Sequence, residues 1–168
     1  KINKNLSDSY SFICFSSFET RCLSIPGILE LSRINKAYVI RNIETLGMKY
    51  NEENVNKLMD ILGKPDIKPV NLQKAITVSE TMSNIVAELI QNSEKNIVID
   101  ISTFTHEALL ILMKFLYINK NSFETVKCLY NGVSNYSYGD LPENMWLSKG
   151  CRDVRNVIGY PGKIDSTK

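Results

Sequence analysis

The sequence predicts a three-layer α/β fold: an open, mostly parallel sheet of about five strands with helices on both faces. Three observations carry that expectation. Strand-like apolar runs alternate with helically periodic segments along most of the 168 residues, the order that builds a parallel sheet with right-handed crossovers. The run Asn96-Ile97-Val98-Ile99-Asp100-Ile101 is almost continuously apolar, as in a central strand buried on both faces. The helical segments carry one apolar stripe each, which fits them to lie against a sheet.

Taken in order, residues 11 to 15 read as a buried strand, and residues 21 to 32 as a short helix disturbed in its first turns by Pro26 and Gly27. Ala37-Tyr38-Val39-Ile40 reads as the second strand. Residues 51 to 62 form a helix through Val55, Leu58, Met59 and Leu62, stopped by Gly63 and Pro65. Residues 66 to 72 make a weak strand, better suited to an edge because Pro65 and Pro69 limit its pairing. Thr77 with Glu80 three residues on reads as a capping box for a helix over 77–91, striped by Met82, Ile85, Val86, Leu89 and Ile90. After the strand at 96–101 come a helix over 105–118, a strand over 125–130, and one more short strand within Asp153 to Tyr160.

Length and an apolar fraction of 43% bound the chain to one domain, residues 1–168, with enough sequence for a sizeable core. A net charge of +2 with interspersed signs gives no electrostatic pull toward nucleic acid or anionic membrane. The cysteines Cys14, Cys22, Cys128 and Cys151 lack paired spacing. Cys14 and Cys128 sit in apolar runs that suit buried thiols, so a reducing, cytoplasmic setting is the simplest. No run reaches the roughly 18 apolar residues of a membrane span, and no apolar signal segment opens the chain. The start at Lys1 points to a trimmed chain or an excised domain.

Two look-alike polar segments mark a candidate site. Ser16-Ser17-Phe18-Glu19-Thr20-Arg21 follows the first strand, and Ser102-Thr103-Phe104-Thr105-His106-Glu107 follows the fourth. A doubly wound strand order sets these two strands side by side at the switch point, where open sheets hold their ligands. Each residue also has a structural reading. Asp100 is costly to bury as a charge, and serves as a ribose-hydroxyl acceptor, a metal ligand or a partner for Arg21. Ser102, Thr103 and Thr105 offer an anion site at a helix start, or are N-caps. Ser16 and Ser17 hold a ligand or cap the first helix, and Glu19 with Arg21 is a substrate clamp or an internal salt bridge. His106 is a general base only if it reaches its proton, and otherwise a solvated helix residue. Residues 131 to 152, with Tyr136, Tyr138 and Trp146, are a lid over the crevice, a docking loop, or aromatics packed on the body.

Absent motifs narrow the chemistry. There is no G-x-G-x-x-G after the first strand, no phosphate-binding lysine loop and no G-x-S-x-G elbow. Asp100-Ile101-Ser102-Thr103 opens like a phosphoryl-aspartate motif, but Ser102 stands where the second acid belongs. Zinc lacks cysteine or multi-histidine support, an oxygen-ligand magnesium site would draw on Asp100 and Glu107, and no metal is assigned.

The segments Ser17-Phe18-Glu19-Thr20-Arg21-Cys22-Leu23, Ile99-Asp100-Ile101-Ser102-Thr103-Phe104-Thr105, Trp146-Leu147-Ser148 and Gly159-Tyr160-Pro161-Gly162 resemble the amino-terminal half of a family of uncharacterised bacterial proteins with a Rossmann-like fold. The resemblance implies a setting beside mobile-element and defence genes, and a further half after Lys168. It implies no reaction or cofactor. The functional expectation is therefore a domain that binds a nucleotide or nucleotide derivative to sense or process it; the alternative is a non-catalytic protein-interaction or scaffolding module.

Overall fold

The computed structural model describes residues 2–132 and 156–160. Five strands, β1 (Tyr10–Phe15), β2 (Ile34–Asn42), β3 (Asp66–Val70), β4 (Asn96–Asp100) and β5 (Thr125–Leu129), form one sheet in the order β3-β2-β1-β4-β5. Every neighbouring pair is parallel. The sheet is thus the open, doubly wound, Rossmann-like arrangement expected, with β1 and β4 adjacent. All six residues of β1 are buried, as its central place requires. Pro69 stands on β3 at the sheet edge, opposite Arg41, where a missing N–H costs no inner ladder bond.

Strand alternation divides the core in two. Ile13, Phe15, Tyr38, Ile40, Ile97 and Ile99 face α2 (Ala75–Gln91) and α3 (His106–Ile118), meeting Val78, Met82, Ile85, Leu89, Ile111 and Leu112. Phe12, Cys14, Val39 and Val98 face the other way, toward Cys22, Ile25 and Leu29 of the first crossover and Leu58 of α1 (Lys49–Leu62). Gly63 ends α1 with φ of 64°, a left-handed conformation that glycine adopts without strain.

Four local expectations are corrected. Residues 21 to 32 do not form one helix; single 3₁₀ turns occupy Thr20–Leu23, Pro26–Ile28 and Leu31–Arg33. Pro26 has no N–H to donate to Cys22, and its ring would strike that carbonyl, so the chain closes shorter bonds such as Ile28 N to Ile25 O (3.1 Å). Thr77 does not start α2. Asn71 forms a turn by accepting the Gln73 N–H (2.9 Å), the helix begins at Ala75, and the Thr77 hydroxyl donates backward to Asn71 O (2.9 Å) and Lys74 O (2.8 Å). Residues 156–160 make no strand: Tyr160 N donates to Val157 O (3.0 Å) around Gly159, at φ 88°. The remainder of that expected strand, residues 153 to 155, lies outside the described residues. Cys128 is exposed rather than buried, because β5 closes the sheet at its outer edge; Cys14 and Cys22 are buried, and all three thiols are free.

On the β2–β3 side, Glu88 of α2 accepts from Lys36 of β2 (3.2 Å) and Lys68 of β3 (2.5 Å), and Asp66 lies 3.1 Å from Lys68. Burial opposes ionisation of the Glu88 carboxyl, but the two lysines outweigh it and hold its pKa below the ordinary value. A depressed native pKa contributes stability above the unfolded carboxylate range and loses it as pH falls through the native value. Glu88→Gln is expected to cost about 1 kcal/mol at pH 7, measured by denaturant unfolding. The difference shrinks in molar salt and vanishes in acid where the parent carboxyl is itself protonated.

Candidate functional site

The connections from β1 and β4 leave these neighbouring strands toward opposite faces of the sheet. Residues after Phe15 turn onto the face of Cys22 and Ile25, whereas those after Asp100 enter α3 on the face of Ile111. Divergence of this kind opens a crevice at the carboxyl ends of the strands. Here it has a volume of about 330 Å³, at the lower end of the range for small-molecule sites.

The two polar segments meet in it. Ser16, Ser17, Glu19 and Arg21 come from the end of β1, and Ser102, Thr103 and Thr105 from the end of β4. Their hydroxyls also stitch the strand ends together. Ser16 Oγ donates to Ile40 O (3.2 Å), Thr103 Oγ1 donates to Phe15 O (2.7 Å), and Ser102 Oγ accepts from Asn131 N (2.9 Å). Ser17 Oγ accepts the Glu19 N–H (3.2 Å), and Thr105 caps α3 by accepting from Ala108 N (3.4 Å). Each hydroxyl lines the crevice while fixing its wall, but of the expected helix caps only Thr105 is one: Ser16, Ser17, Ser102 and Thr103 bond strand ends and turns instead, and the 3₁₀ turn after β1 begins at Glu19 without a side-chain cap.

Glu19 and Arg21 form an ion pair. Arg21 donates through Nε (2.8 Å) and Nη2 (2.6 Å) to Glu19 Oε2, and through Nη1 to Asn131 O (3.4 Å). Burial opposes the guanidinium charge, but Glu19, with Tyr130 adding to it, raises the Arg21 pKa.

Asp100 and His106 are not among the crevice's lining residues. Asp100 is 1% exposed, its Oδ1 accepts the Ser102 N–H (2.9 Å), and its Oδ2 is buried without a hydrogen-bond partner. Burial pushes its pKa up; hydrogen bonding from Ser102 and the charge of Arg21 offset this only in part. His106 is the exposed first residue of α3. Tyr136, Tyr138 and Trp146 lie outside the described residues.

Sequence reasoning missed Asn42 at the end of β2 and Thr45 beyond it, Asn51 on α1, Leu72 after β3, and the Phe15 and Phe104 rings. Asn51 and Asn54 are both buried, on the same stripe as Val55 and Leu58. Amides in register with the apolar positions of a helix were the available signal. Asn54 Nδ2 donates to Ser17 O (2.9 Å), tying α1 to the first crossover, while Asn51 lines the crevice.

Among the described residues, no group of three or more His, Cys, Asp or Glu side chains is placed to hold a metal ion, and no helix is long and apolar enough to cross a membrane. Fold and crevice together define an open, doubly wound α/β domain with a small-molecule-sized cleft at its switch point. No protein-family model matches this sequence, and no curated protein matches it either.

Proposed function

We propose that the domain binds a nucleotide or nucleotide-derived small molecule in the switch-point crevice, to sense or process it. The observation that carries this reading is the convergence of Ser17, Arg21, Asn51 and Thr103 on one cleft of about 330 Å³ between the diverging ends of β1 and β4. Side chains supply the polar groups, in keeping with the lack of glycine in both segments. No catalytic residue is assigned. The segment resemblance adds a bacterial, defence-linked setting to the proposal, and the cysteines without paired spacing a cytoplasmic one.

A thermal-shift screen of the whole chain against nucleosides, mono-, di- and cyclic nucleotides and dinucleotide cofactors, with and without magnesium, tests it. Ligand at a hundred times its Kd adds about 2.7 kcal/mol to native stability. A shift confined to one ligand class, and reduced in a folded Arg21→Met variant, supports binding in the crevice; an unchanged shift in that variant moves the binding elsewhere.

A second reading, a non-catalytic protein-interaction module, is favoured by a different face. Tyr117 and Ile118 at the end of α3 are more than half exposed, beside an apolar groove of about 250 Å³ lined by Met113, Leu116, Phe123 and Val126. Exposed apolar surface of this kind marks protein contacts. That reading requires indifference to the whole ligand screen, together with protein association that Tyr117→Ser removes.

A further inference from the structure

We infer that the crevice takes a nucleoside-type ligand, an aromatic base joined to a hydroxyl-rich group, and not a polyphosphate. The inference rests on the reading just given and narrows its ligand class.

Charge excludes the polyphosphate. Glu19 and Arg21 are the only charged side chains lining the crevice among the described residues. Two donors of Arg21 are already committed to Glu19 and a third to the Asn131 carbonyl. A triphosphate carries several negative charges and is held elsewhere by lysine, several arginines or bound magnesium. Here it would have to displace Glu19 from the single cation and leave that carboxylate beside it, with Asp100 buried nearby.

The backbone gives no substitute. In dinucleotide sites the pyrophosphate rests on the amino terminus of a full helix after the first strand, approached through glycines. In this chain a four-residue 3₁₀ turn, Thr20–Leu23, takes that place, and no glycine occurs between Ser16 and Pro26. A turn of that length sums few peptide dipoles. Across the crevice, α3 is capped by Thr105 and carries Glu107 in its first turn, which offsets its positive end.

What remains suits a base. Phe15 and Phe104 line the crevice and meet edge to face, with centroids 5.4 Å apart at 67°. Phe18, at 67% exposure, offers a further ring on the lining. Asn51 is 4% exposed and lines the same space, yet its amide donates to the Met48 sulfur at 3.8 Å. A thioether is a weak acceptor, so a carbonyl or ring nitrogen of a base is a stronger partner for this buried amide. Asn42 and the hydroxyls of Ser17, Thr45 and Thr103 supply groups for a ribose.

Calorimetric titration of the whole chain with adenosine, guanosine, cytidine and uridine, and with the matching triphosphates with and without magnesium, tests the assignment. The expected result is that one nucleoside binds at least tenfold more tightly than its triphosphate, with little dependence on salt. Asn51→Leu is expected to weaken that nucleoside about tenfold, the loss of one buried hydrogen bond. Phe18→Ala, at an exposed position that folding does not need, is expected to weaken it severalfold. A triphosphate binding as tightly as the nucleoside, or tighter, overturns the inference and leaves the broader nucleotide reading standing; nucleoside affinity unchanged in Phe18→Ala overturns it too, by removing the base from the aromatic wall. Failure of every nucleoside to bind overturns the inference, and the broader reading falls with it only if the mono-, di- and cyclic nucleotides and the dinucleotide cofactors of the thermal-shift screen fail as well.

Discussion

Asp100→Asn is expected to unfold at a higher temperature than the parent protein at pH 7, and at the same temperature in acid. The carboxylate sits at the end of β4 with 1% exposure; Oδ1 has a hydrogen-bond partner in the Ser102 N–H, and the Ser102 side chain also favours the charged form. Oδ2 is buried without a hydrogen-bond partner. Burial raises the carboxyl pKa more than Ser102 and Arg21 lower it. Between the ordinary carboxylate range and this raised value the native state holds a proton that the unfolded chain has released, so stability falls as pH rises through that window. Above it the native protein carries the full cost of a desolvated charge. Asparagine keeps an oxygen for Ser102 and removes the charge.

The expected gain at pH 7 is about 1 to 3 kcal/mol, the usual penalty for a buried unsatisfied polar group, or roughly 2 to 4 °C for each kcal/mol in a chain of this size. Below the unfolded carboxylate range both states of the parent are protonated, and the two proteins converge. Asp100→Ala separates the two oxygens, because it removes the orphan at Oδ2 but also strips Ser102 of its acceptor, and should gain less than asparagine. Thermal unfolding of the three proteins from pH 3 to pH 8 reads the result. A lower melting temperature for Asp100→Asn at pH 7 would mean that the charge is matched in the folded protein, with Arg21 the cation to examine. Asp100 is the one charged side chain of β4, and its hold on Ser102 connects it to the crevice wall.

The sheet was legible because its strands are short apolar runs set between helical stripes, and local alternation suffices to order them. Adjacency of β1 and β4, and with it the meeting of the Ser16 and Ser102 segments, followed from topology alone. The first crossover was not legible. Its composition allows a helix, and only the bond Pro26 cannot make to Cys22 decides for 3₁₀ turns. The fate of Asp100 was hidden for a different reason. Strand alternation puts it on the face of Val98 and Cys14, but which face lies sealed at the strand's end depends on how the crossovers pack. His106 likewise follows the cap residue by one position, and the angle at which α3 leaves the sheet determines that Thr105 lines the crevice while His106 does not. Asn51 was overlooked because a polar residue at a helix start reads first as a solvated one.

Arg33→Lys is expected to be damaging although it keeps the charge, and nothing in the local sequence announces it. The guanidinium fork gathers carbonyls from the amino-terminal segment. Nη1 donates to Asn3 O (2.7 Å), Nη2 to Leu6 O and Ser7 O (both 2.6 Å), and Nε to Ser7 O (3.2 Å). The side chain is 17% exposed, so these carbonyls find little water if the fork is lost. The nearby carboxylates add little: Asp8 is fully exposed at 3.8 Å, and Glu30 is half exposed at 3.5 Å. Lysine keeps the charge, but its single ammonium cannot span three carbonyls on different residues. The segment it would release carries Leu6 into the second core, and Asn3 binds the first crossover through Ile28 O (3.0 Å) and Glu30 N (3.3 Å). The expected loss is about 2 kcal/mol, from charge-assisted bonds given up and not fully replaced. Hydrogen exchange should quicken at residues 5 to 8 and around Ile28 while the amides of β4 keep their protection. If charge alone held the segment, Arg33→Lys would match the parent in both stability and exchange, and only Arg33→Ala would loosen it.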